Sequence, residues 1–407
     1  MIIACLMLLT LLDPPVARAG DNGFETEAGA GILIDSATGQ VLWEKAADDR
    51  LPIASTTKIM TALLAIESGR LEETVTIPPE AEEVDGSKVY LTGGTTYTLR
   101  ELLDALILES ANDAAVAIAI FLDGSEEAFV SRMNARARSW GLTNTQFRNP
   151  HGLDEEGHYS SARDLAVIAR KAMENPVYRE IEGTIATIFP WPEMETTREI
   201  YNRNLLLQQM PEATGVKNGY TEAALFTLVG SARADGREVI GVLLANPDKE
   251  QMYADMEALL RHGLYDFTLT TVLPPGDLPD FAGRTAEPLR ALLREGEQAD
   301  VAYRPPLRGE EWPEGTLAVA QALVGGRVVA EQPVLPKEEA VPVQAEPEDD
   351  ARVRSTDTTR PGYVSAILWM AAGAALYGLV SHARRVAARR RRWRRRKDHL
   401  HHAHGHG

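Results

Sequence analysis

The stretch 54-ASTTKIMTALLAIESG-69 decides how this chain is read. From Ser55 onward its apolar residues recur at helical spacing until Gly69, which predicts one long helix. Side chains at i and i+3 share a helix face, so Ser55 and Lys58 sit side by side in its first turn. A serine hydroxyl is a weak nucleophile and needs a base beside it. Lysine can serve only when burial or a nearby cation depresses its pKa. Backbone N–H groups at the start of a helix can also stabilise an oxyanion. By itself the pattern Ser-x-x-Lys is weak, and an ordinary helix start explains it at least as well.

Outward from this helix the pattern is that of a layered domain. Ala28 to Lys45 alternates as a hairpin around the turn Ala37-Thr38-Gly39. Helical spacing returns at 99–107, 112–122, 129–139 and 162–173. Strand patterns follow at 224–234 and 238–244, then a helix over 248–263. Strands at both ends with helices between predict an α/β (α+β) domain over 24–268, its edge strands meeting in one sheet. From 269 to 336 short apolar runs are split by Pro and Gly, which predicts a small β-rich C-terminal domain.

The 407 residues suit two domains plus extensions, with 44% apolar and 25% charged residues. Wholesale disorder and a polytopic membrane protein are excluded by that balance. The single cysteine, Cys5, permits neither an internal disulfide nor a Cys-based zinc site. The net charge of −17 hides an asymmetry: Arg384 to Lys397 carries ten Lys/Arg and no acid, which leaves −27 for the rest. A body that acidic repels nucleic acid, so no nucleic-acid partner is expected. Residues 1–19 read as a secretory signal peptide cut after Ala17-Arg18-Ala19, although the usual basic start is missing. Residues 363–383 hold an uncharged apolar run, Tyr363 to Ser381, long enough for one transmembrane helix. The basic residues directly behind it predict a cytoplasmic tail at 384–407 and an extracytoplasmic body. Between body and membrane, 337–362 is rich in Pro and charge and reads as a disordered linker.

Two further elements sharpen the first. Ser110-Ala111-Asn112 falls between two helical patterns, where a loop can aim a hydroxyl and an amide into a cleft. Lys217-Asn218-Gly219 falls just ahead of a strand expected to begin near Ala223, with Gly allowing close backbone approach. The order S-x-x-K, S-x-N, K-x-G is that of the penicillin-interacting serine enzymes. With 98-TLRELLDALILESANDAAVAIA-119, 149-NPHGLDEEGHYSSARDLAVIA-169, 201-YNRNLLL-207 and 215-GVKNGYT-221, the chain resembles the D-alanyl-D-alanine carboxypeptidases. These are low-molecular-mass penicillin-binding proteins of peptidase family S11.

That resemblance implies a sheet flanked by helices, as in serine β-lactamases and penicillin-binding proteins, with a β-rich second domain. It implies Ser55 as nucleophile, Lys58 as general base and Ser110 as a proton relay toward the leaving D-alanine. Asn112 would hold the substrate backbone, Lys217 would face the terminal carboxylate, and the N–H groups of Ser55 and Tyr220 would form the oxyanion hole. Gly219 lets the strand approach, and Arg203 matches a position that assists carboxylate binding in some relatives; an ordinary solvated arginine fits it as well. The implied partners are peptidoglycan stem peptides, with β-lactams as inhibitors; no metal and no organic cofactor is implied. His151 and His158 belong to a structural loop in such proteins. Asp113 caps or pairs near the active-site helix. The loop context of Asp154, Glu155 and Glu156 resembles the carboxypeptidases instead of a β-lactamase. One departure stands out: Asn218 replaces the family's usual threonine, and a longer planar amide replaces a hydroxyl donor. A D,D-endopeptidase acting on cross-links and a catalytically silent peptidoglycan-binding protein remain open alternatives at this point.

Overall fold

The computed structural model describes residues 24–278 and 281–337. The signal peptide (1–19), the linker beyond Lys337, the apolar run 363–383 and the tail 384–407 lie outside the described residues. Among the described residues no helix is long and apolar enough to cross a membrane.

The chain opens with a hairpin, β1 (Ala30–Asp35) and β2 (Val41–Lys45), and then α1 (Lys58–Glu67). A short pair, β3 (Thr74–Thr76) and β4 (Thr96–Thr98), brackets α2 (Glu80–Glu83). Then come α3 (Leu99–Leu108), α4 (Asn112–Asp123), α5 (Glu126–Ser139), α6 (Ala162–Met173) and α7 (Pro176–Glu182). A second hairpin, β5 (Ala186–Trp191) and β6 (Thr196–Tyr201), precedes α8 (Leu206–Gln209). The domain closes with β7 (Ala213–Thr221), β8 (Leu225–Ala234), β9 (Arg237–Asn246) and α9 (Lys249–Tyr265).

The central sheet runs β2-β1-β9-β8-β7, antiparallel throughout, so the first and last strands of the domain meet at β1–β9 as their position predicts. All six residues of β1 are buried because both faces are covered. Successive side chains point to opposite faces. Ile32 and Ile34 join Ile240, Val242 and Val229 under the large helical layer that includes α1 and α3 to α6. Leu33 faces the other way, with Leu228, Val239 and Leu243, onto α9. That helix meets them with Met252, Met256, Leu259, Leu260 and Leu264, one stripe at helical spacing. Each fully buried aliphatic side chain contributes about 2 kcal/mol.

Local signals set the helix ends. Thr98 and Glu101 form a reciprocal capping box at α3. Ser161 caps α6, and Asn175 caps α7 with Pro176 in its first turn. The long helix predicted from Ser55 begins later. Ala54–Thr57 is a 3-10 turn, and α1 starts at Lys58 with nine of its ten residues buried, from Lys58 to Ile66. The expected strand start near Ala223 also shifts: Lys217, Asn218 and Gly219 lie inside β7, and residues 222–224 form the turn into β8.

Beyond α9 lies a β-rich module built from β10 (Phe267–Leu273), β11 (Gly276–Asp277), β12 (Gly283–Thr285), β13 (Leu289–Arg294), β14 (Asp300–Arg304), β15 (Ala318–Val324) and β16 (Arg327–Pro336). Its five-stranded sheet runs β11-β12-β16-β15-β14, and β10 pairs with β13. Gln40, in the β1–β2 turn, holds the module: its Nε2 donates to Leu292 O at 2.7 Å, and its Oε1 accepts from Leu292 N at 2.8 Å. Arg327 adds an ion pair to Glu44 at 2.7 Å. Gln40→Ala leaves two buried backbone groups without partners. The expected loss is about 1–3 kcal/mol in a urea titration; a loss under about 0.5 kcal/mol contradicts this docking.

Candidate active site

Ser55 sits in the 3-10 turn ahead of α1, where side chains at i and i+3 nearly eclipse. Lys58 Nζ accordingly lies 2.9 Å from Ser55 Oγ. The amine is fully buried, with two further acceptors, Asn112 Oδ1 at 2.7 Å and His151 O at 2.5 Å. An ammonium can donate to all three. A neutral amine keeps two donations, to the amide and the carbonyl, and its lone pair then faces the serine O–H. Burial, and secondarily the charge of Lys217, push the Lys58 pKa well below its ordinary value; Asp113 opposes this.

Lys217 is buried on β7, its Nζ donating to Asn218 O at 3.1 Å. Burial, with Arg203 nearby, lowers its pKa to about 7. Gly219 is required because a Cβ there would lie 2.7 Å from Ser55 N and 2.8 Å from Thr227 Oγ1. The strand thus passes directly against the nucleophile's N–H, one of the helix-start donors without an intrahelical acceptor.

Ser55, Ser110, Asn218, Gly219, Tyr220 and Arg203 open onto one cleft of about 530 Å³. Ser110 occupies left-handed backbone space at φ 59°, a strained conformation for serine at the turn between α3 and α4. Asn218 Oδ1 is buried and has no hydrogen-bond partner among the described residues. Arg203 is half exposed and paired with Glu109 at 2.7 Å. Asn112 is engaged at both ends of its amide, since Nδ2 donates to Asp85 O at 2.6 Å while Oδ1 receives Lys58. Its first structural task is therefore to hold the lysine. Ser87, Leu205, Phe226 and Lys249 complete the cleft walls, and none was legible in the sequence. They come from four separate segments, and only the contact of Phe226 with Tyr220, rings tilted by 34° with centroids 4.6 Å apart, follows from strand pairing.

The histidines hold the floor. His158 Nε2 meets Thr57 Oγ1 at 2.8 Å, and its Nδ1 accepts from Arg148 N at 3.2 Å. His151 Nδ1 accepts from Leu153 N at 3.2 Å. Burial lowers their pKa values to about 3 and about 4 for His151 and His158, so both rings are neutral at pH 7. Gly152, at φ +90°, lies so close to Ala54 that an added Cβ would meet its carbonyl oxygen at 1.9 Å. Asp154 accepts from Thr221 Oγ1 at 2.7 Å and Glu155 from Asn149 Nδ2 at 3.1 Å, which makes this acidic stretch a brace for its own loop and the end of β7. Asp113 is buried and accepts from the backbone of Val89, Leu91 and Ala114.

A serine at a helix start, a buried amine against its hydroxyl and a second amine on the facing strand define an acyl-transferring serine hydrolase. Comparisons narrow the class. A family model described as D-alanyl-D-alanine carboxypeptidase matches residues 16–248. The chain is 34% identical over 367 residues to D-alanyl-D-alanine carboxypeptidase DacF of Bacillus subtilis, covering 82% of this chain and 92% of the relative. A D-alanyl-D-alanine carboxypeptidase structure from Mycobacterium tuberculosis superposes with TM-score 0.56 at 36% identity, covering 59% of this chain and 91% of that one. Penicillin-binding protein 5 from Haemophilus influenzae gives TM-score 0.64 at 26% identity, covering 77% and 97%. The chain belongs to peptidase family S11, the D-alanyl-D-alanine carboxypeptidases, and is a serine peptidase.

Removing the Lys217 charge eases protonation of Lys58, because that charge is one of the causes holding the Lys58 pKa down. At a given pH less of the amine is then neutral. In Lys217→Met the acid limb of Ser55 acylation plotted against pH should therefore move upward. A limb that stays in place, or moves down, contradicts the coupling.

Proposed function

We propose that this enzyme removes the terminal D-alanine from peptidoglycan stem pentapeptides through an acyl-enzyme on Ser55, and that β-lactams acylate the same oxygen. The observation that carries the reading is the buried Lys58 amine against the Ser55 hydroxyl. Neutral Lys58 takes the serine proton as Oγ attacks the carbonyl between the two D-alanines. The N–H groups of Ser55 and Tyr220 receive the oxyanion. Collapse breaks the C–N bond, and the proton passes to the leaving amine, with Ser110 as relay. Lys58 then deprotonates water, which hydrolyses the ester and restores the serine. Lys217, assisted by Asn218 and Arg203, faces the terminal carboxylate.

The proposed location follows from the sequence: a cleaved signal at 1–19, a single span at 363–383, the catalytic body outside and the basic tail inside. The substrate lies on that same outer side. Protease added to intact cells should remove the body and spare the tail; the reverse pattern contradicts this topology.

A fluorescent penicillin should label the wild type and leave Ser55→Ala unlabelled, and a pentapeptide should yield free D-alanine. Folded wild type that takes no label favours a silent binder, and loss of cross-links without free D-alanine favours an endopeptidase. Asn218→Thr restores a compact hydroxyl donor and should accelerate acylation about threefold to tenfold, about 0.6–1.4 kcal/mol, the worth of one ordinary hydrogen bond. No gain, or a loss, would show that the amide serves this cleft as well as threonine.

A further inference from the structure

The β5–β6 hairpin stands apart from the central sheet, forming a two-stranded sheet of its own. Its inner face carries Phe189, directly opposite Arg198 in the strand register, with Trp191 one step along. Phe189 is buried and stacks on Tyr97 of β4, with ring centroids 5.3 Å apart and planes within 13°. The Arg198 guanidinium lies over both hairpin rings, 5.6 Å from the Phe189 centroid and 4.7 Å from that of Trp191. Two aromatic faces hold a planar cation in a fixed plane and favour its charge. From there its Nη2 donates to Val89 O, outside the hairpin.

Val89 belongs to the segment 85–91, which carries the cleft-lining residue Ser87. The start of α4 grips this segment at alternate residues. Asn112 Nδ2 donates to Asp85 O at 2.6 Å, and Asn112 N donates to Ser87 O at 2.7 Å. Asp113 receives Val89 N at 3.2 Å and Leu91 N at 3.0 Å. The backbone of Val89 is thereby held by two charged side chains, a carboxylate on its N–H and a guanidinium on its C=O. Such charge-assisted bonds are roughly twice as strong as neutral ones. The segment is also strained, with Tyr90 at φ 58° and its side chain 72% exposed, so it does not hold this path by its own preference. The same Asn112 positions Lys58 Nζ at 2.7 Å, and Lys58 in turn meets Ser55. Hydrogen bonds and short stretches of backbone thus link Arg198 to the nucleophile.

We infer that Arg198 is a positioning residue for the Ser55 chemistry: its seat over two aromatic rings fixes the segment 85–91, and through Asn112 fixes the amine that activates the serine. The inference rests on the function proposed above. Loss of the guanidinium frees one side of the segment, lets Asn112 follow it, and loosens the Lys58–Ser55 contact while leaving the carboxylate-binding side of the cleft intact. The effect then falls on kcat and on acylation, with KM nearly unchanged.

The test compares Arg198→Met, which keeps bulk over the rings but cannot donate, with Arg198→Lys, which can still donate to Val89 O. Arg136→Met serves as control, because Arg136 also lies over an aromatic ring, Trp140, but pairs with Glu67 and is distant in sequence from the hairpin. The readouts are acylation by fluorescent penicillin, kcat and KM for D-alanine release, the thermal midpoint, and hydrogen exchange of the 85–91 amides. Arg198→Met is expected to lower acylation and kcat by about tenfold to a hundredfold, the scale of a small misplacement of reacting groups. KM should change less than threefold, exchange at 85–91 should quicken, and Arg198→Lys should recover much of the rate. The inference is overturned if folded Arg198→Met keeps kcat within twofold of wild type, if Arg136→Met loses as much, or if exchange at 85–91 is unchanged. Should Arg198→Met fail to fold, Trp191→Leu removes one of the two rings beneath the guanidinium and must show a smaller loss of the same kind; no loss overturns the inference. A wild type that neither takes the label nor releases D-alanine refutes the function instead, and the exchange comparison still decides the brace.

Discussion

The structure depends on keeping one amine uncharged in its interior. Lys58 is fully buried, and its Nζ has three oxygens around it at 2.5–2.9 Å. A lysine placed there costs stability at any pH below the ordinary lysine range, because the unfolded chain then binds a proton that the folded chain binds less readily. Much of the surrounding architecture supports that placement. The 3-10 turn aligns the hydroxyl, the loop from Asn149 to His158 supplies a carbonyl and locks Thr57, and Asn112 supplies the amide. Glycine at 152 and at 219 lets two separate backbones close in on this turn from different segments of the chain.

The parts of the site that are local in sequence were the legible ones. Ser55 and Lys58 are one helical turn apart, so spacing placed them on one face, and Ser110 and Asn112 fall in one short loop between two helical patterns. The resemblance then joined the three elements, which periodicity could not do. The strand carrying Lys217 was placed too late because 213-ATGVKNGYT-221 has small and polar residues where an alternating strand shows large apolar ones. The hairpin 186–201 escaped for a related reason. Pro190 interrupts it, its outer face mixes Ile188 with Glu199 and Tyr201, and its pairing partner lies across a tight turn. Ser87, Leu205, Phe226 and Lys249 reach the cleft only through tertiary folding, and no pattern in a single sequence places four such segments together.

The β-rich module was legible as composition and as short strands, though not in its attachment. A single glutamine in the first hairpin's turn satisfies both backbone groups of Leu292, 252 positions away, and nothing about Gln40 in the sequence distinguishes it from a solvated turn residue. The module thus docks through the outermost hairpin of the central sheet, while the cleft is bounded by β7 at that sheet's opposite edge. The two ends of the sheet are thereby given to different tasks, and residues that secure the module are not those that shape the cleft.

Lys217 adds a consequence of its own. With its pKa lowered to about 7 by burial and by the nearby Arg203, the group is only partly charged at neutral pH. An anion arriving beside it raises that value, so the ligand draws a proton from solvent as it docks. An anion held against Lys217 would therefore register as proton uptake near neutral pH, while its own charge would offset the added cation in the field at Lys58.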